Sequence, residues 1–251
     1  MVMSRTHHIS QQFDKELEDI RSRVLAMGGL VEEHLSQVLE ALARTNLELA
    51  EQVAAADHEV NDMEVEIDAE CTAILLRRQP AASDLRLVLA ISKVITDLER
   101  IGDETKKVAR IVANMVETGS PRSYYVGVLN MGHHVRRMLR SALDAFARMD
   151  SHAALAVAQE DPEVDKEGEA VMRQLITYMM EDPRSIRGVL DAVLATRALE
   201  RIGDHADNIC ENAIYLVEGK DVRHVALDKI AEELQRGRAE EVAENPVGRI
   251  P

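Results

Sequence analysis

Two carboxylates four residues apart occur twice in this chain, Glu99 with Asp103 and Glu200 with Asp204. Each pair sits in the same hexapeptide, Leu-Glu-Arg-Ile-Gly-Asp, at Leu98–Asp103 and Leu199–Asp204. On a helix, positions i and i+4 share a face one turn apart. Like charges there repel at a cost of about 0.2–0.5 kcal/mol per pair. A repulsion kept in both copies fits cation capture, because hard cations bind several oxygen ligands at once. In the second copy the acidic line continues through Asp207 and Glu211, at i+7 and i+11. The first copy has Lys106 and Arg110 there. The spacing therefore predicts metal ligands Glu99, Asp103, Glu200, Asp204, Asp207 and Glu211, the second set binding more tightly or holding more ions. The competing reading is a solvated helix face, with Arg100 and Arg201 as partners. Exact repetition with a glycine at the shared fifth position favours the cation.

Other titratable groups show no such pattern. A second acidic strip, Glu59, Asp62, Glu66 and Glu70, is replaced in its copy by Glu163, Lys166, Ala170 and Gln174, and reads as a solvated face. His205 follows Asp204, but its counterpart is Glu104; His7-His8 and His133-His134 read as surface groups. The chain has no Glu-x-x-His of di-iron bundles and no His-Glu-x-x-His. P-loop, dinucleotide-binding and Gly-x-Ser-x-Gly patterns are absent too. No nucleophile stands beside a base, so no enzyme is expected; the alternative is a metal-dependent carboxylate-bundle enzyme.

The elements that must carry these residues are helices. Aromatic residues make up only 2% of the chain, without any Trp, and Gly and Pro number 12 and 6. That leaves little for strands and many turns, while the rest is rich in helix formers. The duplication extends well past the hexapeptide. Met27-Gly28, Val31, Leu35 and Leu39 recur as Met131-Gly132, Val135, Leu139 and Leu143, and Asp57-x-Glu59-Val60 recurs as Asp161-x-Glu163-Val164. The offset of 104 residues falls to 101 at Leu98/Leu199. The prediction is all-α: two pseudo-repeated three-helix bundles, six long antiparallel helices, with residues 1–118 and 119–225 as the repeats and 226–251 as a charged, frayed tail.

The first repeat's helices are predicted at 10–44, 47–79 and from 83, with Ser10 and Ser83 as N-caps. The second repeat's are predicted at 123–149, 153–181 and 184–218, with Pro162 tolerated only where the middle helix kinks or restarts. A seam of alternating three- and four-residue spacing runs Val88, Ile91, Ile95, Leu98, Gly102, Thr105, Ala109, Val112. Its copy runs Val189, Ala192, Thr196, Leu199, Gly203, Ala206, Cys210, Ala213. A mid-helix glycine costs roughly 0.5–1 kcal/mol against Ala, so Gly102 and Gly203 mark a close approach or room for a ligand. A net charge of -15 argues against nucleic acid as a partner. Cys71 and Cys210 give no disulfide framework. No apolar run is long enough to span a membrane, and the start lacks a secretory pattern, so the expected location is cytoplasmic.

These motifs resemble the PhoU family. Besides the paired Glu-Arg-Ile-Gly-Asp segments, the resemblance rests on His8–Phe13, Met27-Gly28-Gly29, Arg78-Gln79-Pro80 with Ser83–Arg86, Leu143–Arg148, Thr177–Asp182 and Asp221–His224. It runs from about His7 to Val225. The resemblance implies a pair of three-helix bundles that negatively regulates the phosphate-starvation response and phosphate uptake. The implied partners are phosphate ABC transporter components and a sensor histidine kinase, with at most a peripheral place on the inner membrane. It also implies metal ions, divalent or iron, held by Glu99, Asp103, Glu200 and Asp204; a homodimer is expected. Asp207 departs from the family, which often has a basic residue there.

Overall fold

The computed structural model describes residues 3–232, with side chains from residue 11 onward. Seven α-helices follow one another: α1 Met3–Arg44, α2 Leu47–Arg78, α3 Ala82–Glu117, α4 Val126–Arg148, α5 Ser151–Ala158, α6 Asp161–Glu181 and α7 Ile186–Glu218. Short 3-10 turns, Arg122–Tyr124 and Pro183–Ser185, precede α4 and α7. There is no strand among the described residues. Another helical turn opens at residue 227 and packs Leu227 and Ile230 on the core. Residues 233–251, most of the tail expected to fray, lie outside the described residues.

The all-α expectation holds, with one change of count. The middle helix of the second repeat is two helices, α5 and α6, because Pro162 lacks a backbone N–H and cannot continue α5. It sits instead in the first turn of α6, where that N–H would be unpaired anyway. Two predicted caps are corrected. The α1 backbone runs helically through Ser10, and Ser83 lies inside α3, whose cap is Ala81. Side-chain caps occur instead at α2, where Asn46 accepts from the Leu49 N–H, and at α5, where Asp150 accepts from the Ala153 N–H. The end of α7 falls as predicted at Gly219, in the left-handed conformation that Gly adopts without strain.

α1, α2 and α3 pack on one another as the first bundle; α4, the α5–α6 pair and α7 form the second. α3 against α7 is the most extensive helix pair, and α1 lies against α4. Both pairs are antiparallel. Along α3 and α7, Lys93 meets Tyr215, Asp97 meets His205, Glu104 meets Arg201 and Asn114 meets Asp191. Every residue of both predicted seams is buried. One apolar core runs through both bundles.

The α1/α4 contact shows the duplication in three dimensions. A Cβ on Gly28 would stand 2.6 Å from Leu143 Cδ2, and a Cβ on Gly132 would overlap Leu39. Gly28 and Gly132, and Leu39 and Leu143, are each 104 residues apart. Each helix thus presses a leucine into the other's glycine notch, a reciprocity that a pseudo-two-fold axis requires.

Candidate cation site

The same symmetry places the carboxylate pairs. In the first bundle Gly102 on α3 lies beneath α2; a Cβ there would meet Val60 Cγ1 at 3.2 Å and Asp57 Oδ1 at 3.7 Å. In the second, Gly203 on α7 lies beneath α6 with Val164 Cγ1 at 3.5 Å and Asp161 Oδ1 at 3.7 Å. The missing side chain therefore lets an aspartate from the neighbouring helix approach the Glu-x-x-x-Asp face. Sequence reasoning named Glu99, Asp103, Glu200 and Asp204; beside them the structure sets Asp57, Asp161 and Asp165, which it did not name. The signal was present: Asp57 and Asp161 stand in a segment already recognised as repeated.

The two sites are unequal in charge. In the first, Lys106 Nζ donates to Asp57 Oδ2 at 2.6 Å, and Asp57 is only 4% exposed. Its Oδ1 is buried without a hydrogen-bond partner. Glu99 is half-buried, with Arg100 Nε 3.5 Å away. Its pKa is raised, first by burial and then by Asp103. The ammonium of Lys106 already supplies a cation to this site.

In the second site the position equivalent to Lys106 is Asp207. No lysine answers Asp161 there. Burial, then Asp204 and Asp165, push the Asp161 carboxyl up to about 6. Burial, then Asp161, Glu211 and Asp204, push Asp207 up to about 7. Asp204 is raised by burial and by Asp165. Asp207 Oδ1 is buried with no hydrogen-bond partner. Glu200 is held by Arg197 Nη1 at 2.6 Å and packs over Gly168. Arg201 bonds across to buried Glu104 on α3 at 3.2 Å, and its charge only partly offsets the burial and repulsion that raise Asp204.

The remaining predicted ligand, Glu211, lies farther along α7. It lines a cavity of about 480 Å³ between α3 and α7 with Lys93, Asp97, Asn208 and Arg223. His205 is drawn toward α3, its Nδ1 2.9 Å from Asp97 Oδ1. His134 is mostly covered rather than a free surface group, set between Glu160 and Glu167. In the second acidic strip, Glu66 and Glu70 pair with Arg23 of α1. Burial raises both thiols, Cys71 to about 11, so neither ionises near neutrality.

Among the described residues no three His, Cys, Asp or Glu side chains converge on a point where they would hold an ion. The donor set nevertheless fits a hard cation. It is all oxygen, it includes the orphaned Asp207 Oδ1, and burial has raised the pKa of three of its aspartates.

The family model described as the PhoU domain matches twice, over residues 24–112 and 128–213, one match on each bundle. The phosphate-specific transport system accessory protein PhoU homolog of Pseudomonas aeruginosa is 55% identical over 237 residues, covering 94% of this chain and 98% of that protein. The accessory protein PhoU of Escherichia coli is 48% identical over 223 residues, 89% of this chain and 92% of its own length. The crystal structure of PhoU from P. aeruginosa superposes with a TM-score of 0.80 at 56% identity, over 83% of this chain and all of that one. The phosphate transport system regulatory protein PhoU from Streptococcus pneumoniae superposes with a TM-score of 0.77 at 33% identity, over 84% of this chain and 99% of that one. With both bundles matched and relatives of this identity aligned over most of its length, the chain belongs to the PhoU domain family.

Proposed function

We propose that this chain is a regulatory accessory protein of a phosphate-specific transport system. The observation that carries the reading is whole-length similarity, at 55% and 48% identity, to proteins named for that role. In this reading it works in the cytoplasm as a homodimer, at most peripheral to the inner membrane. It joins phosphate ABC transporter components to a sensor histidine kinase and holds the starvation response and uptake down when phosphate is plentiful. The surface suits an adaptor: no helix among the described residues is long and apolar enough to cross a membrane, and 12 large hydrophobic side chains stand exposed. The test is a tagged pull-down from cells grown with and without phosphate. Transporter and kinase subunits should be enriched over an unrelated helical bait. Recovery of neither in either condition contradicts the reading.

Ion binding belongs to the same proposal. Glu200, Asp204, Asp207 and Asp161 would hold a divalent or iron cation, with Glu99 and Asp103 as a weaker second set and Glu211 beside the first. A bound ion would supply the positive charge that Lys106 supplies to Asp57. Support comes from the orphaned Asp207 oxygen and from the like charges that α6 and α7 bring together. Side-chain rotation must gather the donors, since no three of them converge among the described residues. Glu200→Ala with Asp204→Ala should lower the metal content of purified protein; unchanged content defeats the assignment.

A further inference from the structure

We draw no further inference here: the strongest candidate, the polar cavity of about 480 Å³ between α3 and α7, carries none, because Lys93 and Arg223 are matched in its lining by Asp97 and Glu211 and nothing in the structure shows what fills it.

Discussion

Asp207 and Lys106 occupy equivalent places, and the contrast between them sets the chemistry of each bundle. Lys106 answers buried Asp57 with a charge-assisted hydrogen bond. Asp207 instead adds a carboxylate to a site that already holds Asp161 and Asp204. Burial and repulsion raise Asp161 to about 6 and Asp207 to about 7, above the ordinary 3.8. The folded chain therefore holds more protons than the unfolded chain between about pH 4 and pH 7. Stability from these groups is present below the unfolded pKa and is lost as pH rises through the folded values. In chelator the melting temperature should fall between pH 5 and pH 7.5. Asp207→Asn should flatten that fall and raise Tm at pH 7.5 by about 2–4 °C, roughly 1 kcal/mol for a chain of this size once solvent screening is allowed for. Thermal melts at the two pH values check both statements; a wild-type Tm that rises over this interval contradicts them.

At the scale of the element, adjacent glycines on α1 make opposite predictions. Nothing lies within 4 Å of a Cβ placed on Gly29, whereas one on Gly28 would press on Leu143 of α4. Gly29→Ala should stabilise by about 0.5–1 kcal/mol, the helix-propensity gain. Gly28→Ala should destabilise by about 1–3 kcal/mol, because the buried leucine must leave its rotamer in a close-packed core. Denaturant titration of the two variants measures both, and equal effects would sink the reciprocal-notch account. The elements also show what sequence could tell. Pro80, Pro162 and Gly219 mark their breaks through their own backbone chemistry, so these were legible. Ser10 and Ser83 were misread as caps, because serine is compatible with a helix interior and only the neighbouring turn decides. The break between α5 and α6 was legible in Pro162, whose missing donor allows the middle helix only to kink or restart, and the structure takes the restart. Asp57 and Asp161 were hidden as site residues because they come from a different helix, and only packing at Gly102 and Gly203 brings them in.

The whole molecule is a tandem repeat folded against itself, and its two halves have diverged in charge more than in shape. The seam residues of α3 and α7 are buried in both copies, while residues just beside the seam differ, Lys106 against Asp207 and Glu104 against His205, as does Asn61 on α2 against Asp165 on α6. Packing constrains the first group; the second, polar group is constrained by its charge partners, which can change in pairs. On the proposed reading, this divergence is what would make the second bundle the stronger cation site. Lys106→Asp should give the first bundle the charge pattern of the second and raise its affinity for a divalent ion about tenfold or more, and Asp207→Lys should weaken the second bundle by a similar factor. Calorimetric titration with Mn2+ reads both changes, and exchange of the two residues without effect on either affinity would show that charge at this position does not govern binding.

The most direct test of the account compares Mn2+ binding by the intact chain at pH 7.5 with binding by two double variants, Glu99→Ala/Asp103→Ala and Glu200→Ala/Asp204→Ala. Loss of the tighter binding phase on removing Glu200 and Asp204, with that phase retained on removing Glu99 and Asp103, is the predicted result. Identical isotherms for all three proteins, or loss of the tighter phase only in the Glu99/Asp103 variant, would contradict it.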